Sequence, residues 1–134
     1  MNRIKIYIAA SISALERTRT IAAELADRDF IIASSWHAGK LLAPTDAGLS
    51  QLQREKIARV AIDEILHADA LLLLAYKDGR GSLFEAGVAV GAEIPVIALG
   101  NELEMTPALE DYRYVSWYVF KDDAVGALEA LRGI

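Results

Sequence analysis

Glu85 stands in the run Gly81-Ser82-Leu83-Phe84-Glu85-Ala86-Gly87, directly after the turn-like stretch Lys77-Asp78-Gly79-Arg80-Gly81. Ser-x-x-Glu is the pattern of a capping box, in which serine and glutamate satisfy backbone N–H groups at a helix start. The same spacing puts the carboxylate one turn inside a helix, where the partial positive charge of the N-terminus favours the ionised form. An ionised carboxylate suits a nucleophile or a cation stabiliser better than a general acid. In glycosyl transfer such a group attacks the anomeric carbon as an oxocarbenium-like state develops. At this level capping and chemistry both account for Glu85.

Other residues with chemical potential lie at the predicted ends of strands. Tyr7 sits in the apolar run Ile4–Ala10, where alternation gives it either a core position or a place on a site. Ser11 and Ser13 follow that strand. Free N–H groups at the helix starts after Ser13 and Ser82 make ordinary anion sites, and each serine serves equally as a cap. Arg17 is the nearest cation. Trp36 and His37 end the second strand, where an indole can stack on a base or simply pack. His37 can bind phosphate or protonate a leaving group near its ordinary pKa of ~6.5. His67 reads as helix surface. The two histidines have no metal-ligand spacing, and the absence of cysteine removes disulfides, thiolate catalysis and Cys-ligated zinc together.

The elements that must position these residues alternate. Strands are predicted at Ile4–Ala10, Phe30–Ser35, Ala70–Tyr76, Ile94–Leu99 and Tyr114–Phe120. The third, ALLLLAY, is apolar at nearly every position, as a strand covered on both faces is. Helices are predicted from Ser13 to about Arg28, with Leu15, Ala22, Leu25 and Ala26 on the inner face, and over Gln51–Ala68, with Ile57, Ala61, Ile65 and Ala68 inward. A third runs from Ser82 to about Ala92, and a last, capped by Asp122 or Asp123, runs to Leu131. Trp36 to Ser50 is a long loop of the binding-segment kind. Strands alternating with helices make an α/β fold, a three-layer α/β/α sandwich with right-handed crossovers. The expected architecture is a single domain over residues 1–134 with a five-stranded, mainly parallel sheet in the flavodoxin/Rossmann-like order 2-1-3-4-5. Its ligand crevice lies where the strand order reverses, between strands one and three.

Composition narrows the partners. Fourteen Lys and Arg against nineteen Asp and Glu leave a net charge of −5, which speaks against gripping a nucleic acid polymer or an anionic membrane. A small phosphorylated ligand needs only two or three local donors and stays compatible. No apolar run reaches the ~18 residues of a membrane helix, and the start of the chain goes directly into a strand-like run. A soluble cytoplasmic domain is the expectation.

The segment Gly81-Ser82-Leu83-Phe84-Glu85-Ala86-Gly87-Val88-Ala89, followed by Ile94-Pro95-Val96-Ile97, resembles the signature of the nucleoside 2-deoxyribosyltransferase family, which includes deoxynucleoside 5′-monophosphate N-glycosidases. Ile4-Lys5-Ile6-Tyr7 resembles the family's first strand, and Ala68-Asp69-Ala70-Leu71 the pair that enters its third. The resemblance implies that Glu85 is the nucleophile and that Tyr7 orients it. It implies that the loop bearing Ser11 and Ser13 helps to hold a phosphate; Gly81, Ser82, Trp36 and His37 are further substrate-binding candidates by their place at the predicted crevice. The family also carries two Asp residues at positions that here hold Ala61 and Gly79. Asp63 and Asp78 are the nearest carboxylates and the candidates to replace them, although a two-residue offset turns Asp63 by about 200° around its helix. No metal or organic cofactor is implied, the partner is a small nucleoside or nucleotide, and a homodimer or larger homo-oligomer is expected.

Two activities fit, transfer of the sugar to a second base and hydrolysis. With the two Asp positions vacant, a non-catalytic nucleotide-sensing domain of the same fold is the alternative. A nucleoside-monophosphate phosphoribohydrolase ranks last, because the glycine run before its turn is absent here.

Overall fold

A computed structural model of the chain describes residues 3–38, 48–74, 80–100 and 115–119, together with 126, 127, 129, 132 and 133. Parallel strands β1 (Lys5–Ala9), β2 (Ile31–Ile32), β3 (Ala70–Leu74) and β4 (Val96–Gly100) stand in the order β2-β1-β3-β4. A further segment, β5 (Val115–Val119), lies parallel beside β4. Helices α1 (Leu15–Asp27), α2 (Gln51–Leu66) and α3 (Arg80–Gly91) connect the strands.

Alternation along each strand divides the core in two. Ile6, Ile8, Ala70, Leu72, Leu74, Ile97 and Leu99 face Ile21 and Leu25 of α1, with Phe30 and Ala127. Tyr7, Ala9, Leu71, Leu73, Val96 and Ala98 face Ile65 of α2 and Ala86 and Ala89 of α3. Every residue of β3 is buried, as its unbroken apolar run requires of a sheet covered on both sides. Gly126, Ala127, Glu129 and Arg132 have helical backbone. The Asp122/Asp123 cap, Tyr76, Asp78, Gly79 and the middle of the 36–50 loop lie outside the described residues. Among the described residues no helix is long and apolar enough to cross a membrane.

Several local expectations are corrected. The Ser13–Glu16 capping box does not form. Residues Ile12–Ala14 make a 3₁₀ turn and the N-cap of α1 is Ala14, with no side-chain cap. The Ser13 hydroxyl instead lies 2.5 Å from that of Ser11, and Glu16 turns to Arg19 at 3.2 Å. The buried face of α1 runs through Thr18, Ile21 and Leu25, leaving Ala26 exposed. The box that does form heads α2: Ser50 Oγ accepts from the Gln53 N–H at 3.2 Å, while Gln53 Oε1 accepts from the Ser50 N–H at 2.8 Å.

Strand β2 is the largest departure, with two paired residues where six were expected. Past Ala33 the backbone leaves the sheet and side chains take over the pairing. Ser34 Oγ accepts the Ile8 N–H at 3.0 Å and the Trp36 indole donates to the Ile8 carbonyl at 2.7 Å. Asp69 fastens the opposite end of β1. Its carboxylate accepts the Lys5 N–H and its own N–H donates to the Lys5 carbonyl, both at 2.8 Å.

These placements set two stability expectations. Leu72→Ala, at the centre of a fully buried strand, should cost about 3 kcal/mol through lost burial and an unfilled cavity. Ser50→Ala should cost about 1 kcal/mol, the ordinary loss of an N-cap. Urea unfolding midpoints at constant m-value measure both.

Candidate active site

Strand order makes the site. Because β1 pairs with β3, and α3 follows β3 in the chain, Tyr7 on β1 meets α3 across one face of the sheet. On α3, Ser82, Glu85, Ala86 and Ala89 fall at i, i+3, i+4 and i+7, the stripe a helix turns inward. Ser82, Ala86 and Ala89 are buried and Glu85 is partly so. The Tyr7 hydroxyl donates to Glu85 Oε2, and the Tyr7 side chain has no exposure to solvent.

The second capping box is therefore not one. Helix α3 begins at Arg80, two residues ahead of Ser82, so Ser82 is an inward-facing residue of the first turn and not the cap. The Glu85 carboxylate is turned to Tyr7 instead. Gly81 stands in the same first turn, and a Cβ there would meet no atom within 4 Å, so packing does not require glycine.

Burial also reverses the expected electrostatics of Glu85. Its pKa is raised, first by removal of the carboxylate from water and further by the charge of Glu64. The Tyr7 hydrogen bond pulls the other way without winning. The dipole argument placed the carboxylate nearer the helix end and nearer solvent than it is. Tyr7 is pushed far upward by burial and then by the Glu85 charge beside it, with the Glu85 hydrogen bond and Glu64 adding. It therefore remains a protonated hydrogen-bond donor at any physiological pH.

Glu64 is the residue that sequence reading missed. It is the other carboxylate that acts on both Tyr7 and Glu85. It occupies the inward stripe of α2, where Ala61, Glu64, Ile65 and Ala68 repeat the i, i+3, i+4, i+7 spacing. Its Oε1 accepts the Ser35 N–H at 3.2 Å from the turn that follows β2. The available signal was a carboxylate one turn along the face already assigned to Ala61. Asp63, the expected replacement, points away: its side chain is 75% exposed and lies 3.5 Å from His67 Nδ1.

The remaining candidates divide. Ser11 and Ser13 stand at the carboxyl end of β1, within hydrogen-bond reach of each other. The Trp36 indole N–H is committed to Ile8, its ring meets His37 edge-on, and its side chain packs on the same core cluster as Tyr7. His37 is buried, with Nε2 2.8 Å from Ser34 Oγ and its carbonyl accepting from Arg19 Nε at 2.8 Å. Burial and the Arg19 charge lower its pKa. That corrects the expectation of a proton donor poised near neutrality: the ring is a neutral part of the turn. His37 lines a separate open groove with Arg19, Ala22, Ala23 and Ser34, which holds no carboxylate. Among the described residues no three His, Cys, Asp or Glu side chains cluster as metal ligands.

No protein-family profile and no curated protein matches the chain. Solved structures do. A CMP N-glycosidase, BcmB, from Clostridium botulinum superposes with a TM-score of 0.65 at 12% identity, covering 97% of this chain and 99% of that one. The solution structure of BlsM gives 0.68 at 15% identity over 92% of this chain and 85% of that one. DNA processing protein A of Helicobacter pylori, described by its single-stranded DNA binding, gives 0.56 at 15% over 97% and 80%. At these identities the likeness establishes the fold: a parallel α/β sheet with the order 2-1-3-4, similar to proteins of more than one function.

Proposed function

We propose that this protein cleaves or transfers at the N-glycosidic bond of a 2′-deoxynucleoside or its 5′-monophosphate, as a member of the nucleoside 2-deoxyribosyltransferase group. The observation that carries the reading is the Tyr7–Glu85 pair at the crevice of the sheet. A phenol that stays protonated holds one carboxylate oxygen and leaves the other to attack. Glu85 Oε1 would bond to C1′ as the C1′–N bond breaks, giving a glycosyl ester and the free base. Water or a second base would then take the sugar and release Glu85. A missing 2′-hydroxyl makes the oxocarbenium-like state easier to reach, so deoxy substrates fit this chemistry. The fold neighbour named for CMP cleavage supports nucleotides as the substrate class and adds CMP to the compounds worth testing.

Fold alone would equally accommodate a single-stranded DNA binder. The net charge of −5 and two carboxylates facing the site favour a small ligand over a polymer held by its phosphates. Exposed apolar side chains on α2 and α3, Leu52, Val60, Leu83 and Phe84, support a homo-oligomer.

Chromatography of free base from deoxynucleosides, ribonucleosides and their 5′-monophosphates, with and without an acceptor base, tests the reading. Base release that disappears in Glu85→Ala is the expected result. Dependence on the acceptor separates transfer from hydrolysis. Binding without release, unchanged in Glu85→Gln, would make the protein a nucleotide sensor.

The electrostatics give a pH signature. Glu85 must be ionised to attack, so kcat/KM should fall as pH drops through a value above the ordinary 4.5 of a glutamate. Tyr7→Phe removes the one contribution that lowers this pKa, and the acid limb of the profile should move to higher pH.

Stability carries the opposite sign. A carboxyl whose folded pKa exceeds its unfolded one makes the folded state bind more protons between the two values, so stability falls as pH rises through that window. Glu85→Gln should therefore raise Tm at neutral pH while abolishing turnover, with ~1 kcal/mol appearing as roughly 4 °C in a domain of this size. Calorimetric scans at pH 4 and pH 7 should show the gain at pH 7 only.

Gly81→Ala makes a further test. Alanine improves helix propensity by up to ~1 kcal/mol and meets no neighbour. If substrate lies against the first turn of α3, kcat/KM should nevertheless fall by about tenfold or more.

A further inference from the structure

Among the described residues, His37 is the buried titratable side chain that the glycosidic chemistry leaves unused. It stands in a turn beside the crevice, closed by the Ala38 N–H donating to the Ser35 carbonyl at 3.1 Å. Three contacts tie that turn to the site. Ser34 Oγ accepts the Ile8 N–H, the Trp36 indole donates to the Ile8 carbonyl, and the Ser35 N–H donates to Glu64. Ile8 follows Tyr7 on β1, so the turn grips the strand one residue from the phenol that holds Glu85.

The state of the His37 ring decides whether this grip is satisfied. The Ile8 N–H is directed at the Ser34 oxygen, and the hydroxyl gives its own proton to His37 Nε2 at 2.8 Å. Only an unprotonated Nε2 can receive it. With an imidazolium, Ser34 Oγ faces two donors and its proton loses its acceptor, in a place where both residues are 4% exposed. The surroundings sharpen the conflict. From α1, Arg19 Nε donates to the His37 carbonyl at 2.8 Å, which seats a cation beside the ring, and Glu16 pairs with that guanidinium at 3.2 Å. From α2, Glu64 meets the turn at Ser35. β1 contributes Ile8 and β2 contributes Ile32, neither of them charged, and Trp36 meets the ring edge-on. Burial and then the Arg19 charge accordingly lower the pKa of the ring. The open groove past Arg19, Ala22 and Ala23 gives water a path to it.

We propose that His37 is the pin of an acid-released clasp: a neutral ring keeps the 34–38 turn fastened to β1, and a protonated ring makes the turn let go of Ile8 and Glu64 and open the crevice on its β2 side. The change is one proton bound at Nε2 and the hydrogen bonds of the turn lost, with no covalent step. His37 acts through Ser34 as a positioning residue, whatever bond the site cleaves. A buried histidine that must charge is a general means of biasing a two-state element.

NMR reads the clasp directly. The chain has two histidines and two tryptophans, so replacing His67 or Trp117 assigns every ring and indole signal. The His37 ring and the Trp36 indole N–H should titrate together, with a common midpoint below the ordinary ~6.5 of histidine. Solvent exchange of that indole N–H should speed up by about tenfold or more across the midpoint, as local opening requires, while the Trp117 signal keeps its folded position. In His37→Gln the side chain still accepts the Ser34 proton and never becomes charged, so Trp36 should hold its neutral-pH signal through the same range. Arg19→Gln removes the neighbouring cation from a partly exposed position and should raise both midpoints together. The wild-type titration and Arg19→Gln decide the matter even if glutamine does not seat in the turn. A Trp36 signal that ignores the His37 titration, or that changes with the same midpoint in His37→Gln, would overturn the clasp. So would a ring that stays neutral until Trp117 reports unfolding of the whole chain. None of these signals depends on turnover, so failure of the glycosidic reading leaves the test standing.

Discussion

One hydrogen bond, from the Tyr7 hydroxyl to the Glu85 carboxylate, spans the junction on which the site depends. It joins the first strand to a helix 78 residues later in the chain, and it can form only if β1 lies beside β3 and α3 lies over them. Alternation on β1 must also send residue 7, and not residue 6 or 8, to the α2–α3 side. A one-residue slip of β1 would move the phenol to the opposite layer. Asp69 opposes such a slip, because its side chain and backbone both hold Lys5 at the start of the strand. The register of the sheet and the geometry of the candidate nucleophile are thus the same constraint.

The carboxylates at this junction have an energetic logic. Glu64 and Glu85 both interrupt inward stripes otherwise made of small or apolar residues. A helix that maximised stability would place alanine or leucine at either position. Burial then raises the pKa of Glu85, and the Glu64 charge raises it further. A carboxylate taken out of water beside a second negative charge works against the fold, so Glu85 stands where stability alone would not put it. Tyr7 moderates the conflict by donating to Glu85 without ionising itself.

Most of the scaffold was legible in the sequence because it rests on short-range pattern. The unbroken run at Ala70–Leu74, the periodic helices and the β-α alternation led to the parallel sheet, and the common doubly wound order supplied the expected 2-1-3-4 arrangement. Tyr7 and Glu85 were legible as candidates, and the structure brings them together. The failures share a cause: local patterns with two readings. Ser13-x-x-Glu16 and Ser82-x-x-Glu85 have capping-box spacing, yet Ala14 caps α1 and α3 starts two residues early. Ser50-x-x-Gln53 has the same spacing and does cap. The partner each side chain finds decides: the neighbouring Ser11 for Ser13, and Tyr7 from across the fold for Glu85. Glu64 was hidden for a related reason: a carboxylate in a helix is ordinarily solvated, and its inward orientation appears only when α2 is packed.

Strand β2 is short because side chains take over where its main-chain pairing ends. A six-residue second strand would pair with β1 past Ile8 and carry its chain along the mouth of the crevice. Instead the ladder stops at Ile32, and two side chains, Ser34 and the Trp36 indole, satisfy the N–H and carbonyl of Ile8. Replacing main-chain partners with side chains lets the backbone turn away without leaving buried polar groups unpaired. It also brings the Ser35 N–H to Glu64 and buries His37 behind Ser34. A histidine at a strand end in such a crevice looks catalytic from sequence. Here its ring helps to hold the turn, and the turn helps to hold the carboxylate.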